Sequence, residues 1–144
     1  MRARTAVHLA AATLVTLAGA SQADAMSAYR WSKRPLVVFA PDAGSAALAT
    51  QRGIVAGSRG GFAERAMVIV YVVGDRVTSE LGGGPGMSAQ ALRARYGVSR
   101  GAFRAILVGK DGGAKLSSSA PLAAGTLFRT IDAMPMRAEE MRRR

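Results

Sequence analysis

The chain has 144 residues, 20 Lys plus Arg against 9 Asp plus Glu, one His, no Cys and a formal charge of +11, which is room for one modest domain. If residues 1–23 are a leader, Arg2, Arg4 and the lone His8 leave with them, and 18 basic against 9 acidic side chains remain, a net +9. A mature chain without Cys or His excludes disulfides, thiolate nucleophiles, imidazole bases and the usual zinc and copper ligand sets, whereas 49% apolar and 20% charged residues predict a buried core rather than disorder.

Arg2 and Arg4 precede an uncharged run, Thr5 to Ala18, and small residues continue through Ser21-Gln22-Ala23. This is the layout of an export signal, with cleavage expected after Ala23 and Ala25 as the fallback. The run of about fourteen residues is short of the ~20 that span a bilayer, and no later segment is long enough either. The expectation is therefore an exported protein, periplasmic in a bacterial host and secreted otherwise, with one domain over 24–144 and no membrane span after cleavage.

Leu36-Val37-Val38-Phe39, between Arg34-Pro35 and Pro41-Asp42-Ala43-Gly44, reads as a strand buried on both faces. Met67 to Val73 reads as a second, ending at Gly74-Asp75. Ala46 to Arg65 between them suits a crossover helix of a parallel pair, expected to break near Gly60 because glycine disfavours helix interiors. Leu81 to Gly86 marks a loop, after which Ser88 is a predicted N-cap for a short helix through Leu92 and Tyr96.

Phe103 to Val108 predicts a third strand, and Lys110-Asp111-Gly112-Gly113 a turn into a fourth near Ala114 to Ser118, the two forming an antiparallel hairpin. A last helix is expected from about Leu122 to Ala133, with Leu127, Ile131 and Met134 on one stripe. Pro135 is expected to end it, leaving a frayed tail that holds Glu139-Glu140 and Arg142-Arg143-Arg144. The prediction is an α/β domain of order β-α-β-α-β-β-α, with a four-stranded mixed sheet flanked by helices.

That order is the order of the thioredoxin core. Val38 to Ala46, Tyr96-Gly97-Val98 and Phe103 to Gly112 resemble stretches of thioredoxins, with Ala43 and Ala46 falling where that family carries its two cysteines. Arg34 to Pro41, Val73 to Arg76, Leu107 to Gly113 and Ile131 to Arg137 together resemble the domain-of-unknown-function family 4174, over about Ala28 to Met141. The resemblance implies a thioredoxin-like fold, kinship with peroxiredoxins and export, and it supplies no established biochemical role. Ser117 departs from the family pattern, in which a basic residue often follows the Lys-Leu pair.

Thioredoxin and peroxidatic chemistry both consume a thiolate, so the turn Ala43-Gly44-Ser45-Ala46 would be a vestige of an active site. Ser45 has no base near it in sequence and reads as a turn hydroxyl. Asp42 and Asp75 follow the ends of two neighbouring strands, where open sheets place ligands. An enzyme of unknown, non-thiol reaction at Asp42, Ser45, Asp75 and Arg76 is therefore the alternative function, weighed against turn and cap chemistry with Arg76 neutralising one carboxylate. Gly82 to Gly86 lacks the Gly-Lys-Ser/Thr ending of a phosphate loop and reads as a connector.

The excess positive charge attracts polyanions. In the predicted topology Arg34, Lys110, Lys115 and Arg137 lie at one pole, opposite the Ala43–Ala46 turn, together with Trp31, Met134 and Met136. The expected function is a redox-inactive binding module, with Trp31, Arg34, Lys110, Lys115, Met136 and Arg137 contacting an envelope protein or an anionic polymer or lipid. In the competing account Asp111 and Asp132 pair with these cations, while Trp31 and the methionines seal the core. No cofactor or metal is expected. Nucleic acid is disfavoured, since the chain shows no recognition helix, zinc spacing or aromatic platform.

Overall fold

A computed structural model describes residues 25–144; the leader expected over residues 1–23 lies outside the described residues. The architecture is a five-stranded mixed sheet of order β3-β2-β1-β4-β5 with helices on both faces. The strands are β1 (Arg34–Ala40), β2 (Met67–Val73), β3 (Arg76–Glu80), β4 (Arg104–Val108) and β5 (Ala114–Ser118). The helices are α1 (Ala46–Gly57), α2 (Arg59–Glu64), α3 (Ala89–Tyr96), α4 (Ala124–Asp132) and α5 (Pro135–Arg142), preceded by a 3-10 turn, Met26–Tyr29.

β1 is central and buried at all seven positions, which is why its sequence is a continuous apolar run rather than an alternating one. It pairs parallel with β2 and antiparallel with β4, and β4 pairs antiparallel with β5. Leu36, Val38, Ile69, Tyr71 and Leu107 face α1, α2 and α4, meeting Leu48, Val55, Phe62, Leu127 and Ile131. Val37, Phe39, Val70, Val72 and Ile106 face the other side, where α3 contributes Leu92 and the N-terminal turn contributes Met26 and Tyr29. The Tyr29 hydroxyl donates to the carbonyl of Gly83 (2.6 Å), pinning the glycine-rich connector to that turn.

Three sequence expectations need correction and one needs refinement. The sheet has five strands rather than four, because Gly74-Asp75, with Gly74 at φ +57°, turns β2 into a hairpin with β3. The crossover does break close to Gly60, but at Ser58 and not at the glycines, since both Gly60 and Gly61 lie within α2. Pro135 begins a helix instead of finishing the chain's last one, taking the first helical position, where a missing N–H costs nothing. Finally, the C-terminal arginines are ion-paired rather than frayed: Arg142 and Arg143 to Glu139, and Arg144 to Glu64.

Candidate binding surface

At the end of the sheet where β1 starts and β4 finishes, the polypeptide before β1 crosses the β4–β5 turn. The Trp31 N–H donates to the Lys110 carbonyl (2.7 Å). Trp31 itself stands at φ +68°, a left-handed conformation costly for a residue with a side chain, and its ring is 63% exposed. Arg30 lies over that ring, 5.6 Å from its centroid. Met136, on the first turn of α5, is also exposed. Trp31 and Met136 line one groove with Lys110 and Glu140. Beside it, a cleft of about 70 Å³ is bounded by Arg34, Lys110, Lys115, Met134 and Met136.

The fold thus gathers Trp31, Arg34, Lys110, Lys115 and Met136 around adjoining openings, with two corrections to their roles. Arg34 and Arg137 are buried, at 0% and 1% exposure, and their charges are already matched. Both Arg34 Nη atoms donate to the Glu140 carboxylate (3.1 and 3.3 Å), and Nη1 also donates to the Arg65 carbonyl (2.9 Å). Arg137 donates to Asp132 (3.2 Å) and to Glu64 (3.3 Å), while Arg65 grips Asp132 through two bonds (3.0 and 2.9 Å). Glu140, expected in a loose tail, is the hub: Lys110 Nζ donates to it at 2.6 Å.

Electrostatics follow this wiring. Burial opposes ionisation of Glu140, but the hydrogen bonds from Arg34 and Lys110 outweigh it and draw the carboxyl down to about 2. The hydrogen bonds from Arg65 and Arg137 likewise hold Asp132 below the usual carboxylate range against partial desolvation, Arg65 contributing most. Lys115 is paired with Asp111 (2.8 Å), whose carboxyl it lowers, and both remain substantially exposed. The competing account is therefore right about Asp111, Asp132 and Met134, which packs against the core, and wrong about Trp31 and Met136, which are exposed.

The opposite pole is occupied by local structure. Asp42 Oδ1 accepts from the Gly44 N–H (2.9 Å), and Ser45 caps α1 by accepting from the Leu48 N–H (3.3 Å). Ala43, Gly44 and Ala46 are exposed beside them. Asp75 pairs with Arg100 (2.9 Å), not with Arg76, and this bond lowers its carboxyl while leaving it fully in solvent. Among the described residues no three His, Cys, Asp or Glu side chains cluster to hold a metal. Sequence reasoning missed Arg93, buried on α3, which donates to the carbonyls of Gly74 (2.6 Å) and Ala40 (3.2 Å) and so caps the ends of β2 and β1. An arginine on a short polar helix, two residues before a second one, carries no signal for that role.

The fold and this pole define a small mixed α/β domain with a cation-bordered, apolar-flanked groove. The chain belongs to the family described as Domain of unknown function (DUF4174), whose pattern matches residues 25–140. No curated protein and no solved structure matches it. No helix among the described residues is long and apolar enough to cross a membrane.

Proposed function

We propose that the mature chain is an exported, thioredoxin-like domain without redox chemistry that acts by binding an anionic partner, an envelope protein or an anionic polymer or lipid, at the pole of Trp31 and Lys110. The thioredoxin-like reading is supported by the strand order β2-β1-β4-β5, with β1 and β2 parallel and β4 and β5 antiparallel, β3 being an addition outside β2. Export is supported by the composition of residues 1–23. The absence of cysteine from the chain supports the loss of thiol chemistry with retention of shape.

One observation carries the binding reading. Among the described residues the large apolar side chains left exposed are Trp31, Met136 and Met141, on the loop before β1 and on α5; Lys110 borders the groove of Trp31 and Met136 as well as the adjoining cleft, and Lys115 borders the cleft with Met136. Exposed aromatic and thioether groups beside cations make a surface that gains both desolvation and charge pairing on contact. Mature protein should be retained on heparin-like matrices or anionic vesicles at low salt and released as ionic strength rises to a few tenths molar, where the Debye length falls to roughly 5 Å. Trp31, the only tryptophan in the chain, should change its emission on binding. Failure to be retained, or retention that ignores salt, refutes the reading.

A further inference from the structure

The buried guanidinium at the start of β1 is built to hold a carboxylate. Arg34 presents both Nη atoms to the two oxygens of Glu140, and Lys110 closes the third side. Arg137 Nη1 stands 3.5 Å away. Arg34 opens β1 and Lys110 stands in the turn that follows β4, so their backbone positions are set by the sheet and not by α5. Glu140 belongs to α5, which buries a single side chain, Arg137. Charge, rather than apolar packing, holds that helix down.

The socket adjoins both openings. The cleft of about 70 Å³ reaches Arg34, the wider groove reaches Trp31 and Glu140, and Lys110, Pro135 and Met136 border both. The Arg34 Nε is buried without an acceptor, so the guanidinium keeps a donor that neither Glu140 nor the Arg65 carbonyl takes. We propose that Arg34 and Lys110 form a carboxylate-recognition socket that the chain fills with its own Glu140, and that an acidic peptide segment seated between Trp31 and Met136 takes the socket by lifting away Glu140 and the end of α5 that follows it, the first turn with Pro135 and Met136 staying as the wall.

This rests on the binding reading above and names its ligand class and its control. Only an anionic occupant can replace Glu140, because a neutral one leaves the buried Arg34 charge uncompensated. A planar two-oxygen group fits the bidentate fork, and an opening of this size, walled by Met134, Pro135 and Met136, suits an apolar side chain next to that acid. A carboxylate tethered in the same molecule competes at an effective concentration in the millimolar range. The intact chain should therefore bind weakly until its own acid is removed.

The test uses an acetylated, amidated hexapeptide of alternating glutamate and leucine, its glutamine counterpart, and Trp31 emission as the reading. Glu140→Ala should bind the acidic peptide at least tenfold more tightly than the unaltered chain, and neither should bind the glutamine peptide. Adding Lys110→Met should cancel the gain. Equal affinities in a folded Glu140→Ala variant overturn the proposal.

Should that variant not fold, the native socket decides. Arg144→Cys introduces the chain's only thiol and Trp31 its only indole, so energy transfer from Trp31 to an acceptor on position 144 must fall as peptide saturates the protein. Unchanged transfer on saturation refutes the displacement. If vesicles or heparin are bound while the acidic peptide is ignored by both proteins, the socket proposal fails and the broader binding reading survives.

Discussion

Gly61 is a glycine the packing requires. A Cβ there would meet the Phe128 ring at 2.7 Å, and Phe128 in turn packs edge-on against Phe62 at 5.0 Å and under Arg65 at 4.0 Å. Gly61→Ala should therefore destabilise the fold by about 1–3 kcal/mol despite its better helix propensity, as overpacking does; chemical unfolding that shows a gain instead would refute the close contact. Trp31 is the opposite case. Its left-handed backbone and exposed ring predict that Trp31→Gly leaves unfolding free energy within about 1 kcal/mol of wild type, or above it, while binding to anionic matrices weakens. A loss of about 3 kcal/mol or more would mean that the ring is core after all.

At the scale of elements, α5 makes a pH dependence that can be signed. Glu140 ionises at about 2 when folded against an ordinary 4.5, so the folded state holds this proton less readily than the unfolded one. Its stabilising contribution is complete above about 4.5 and is lost as pH falls through that value towards about 2. Thermal midpoints measured down that range should decline more gently for Glu140→Gln than for the unaltered chain; identical slopes would refute the pairing.

The same helix shows what was legible. β1, β2, the β4–β5 hairpin and the Ser88 cap were readable because each carries a local signature: an apolar run, a turn or a capping hydroxyl. β3 has a single apolar residue, Val77, and α5 no apolar stripe, so neither announces itself. The convergence of Trp31, Lys110, Lys115 and Met136 followed from strand order. The burial of Arg34 did not, because its acid lies 106 residues away on an element that had been expected to fray.

For the whole molecule, the decisive facts are what the composition lacks and where its charge resides. Mature protein should show no thiol-dependent reduction of insulin disulfides and no peroxide consumption; turnover by metal-free protein would contradict the proposed lack of redox chemistry. Much of the basic excess at the pole of Trp31 and Lys110 is spent inside, on Glu140, Asp132 and Glu64, which leaves fewer free cations there than net charge suggests.

The added hairpin has a consequence for the molecule in crowded solution. Without Arg76–Glu80, the run Met67–Val73 would form the rim of the sheet, offering a β-branched strand with unsatisfied amides to any neighbouring chain. The hydrophilic ribbon takes that place instead, with a charge at each of its ends, so this β-branched run is never the one left waiting for a stranger.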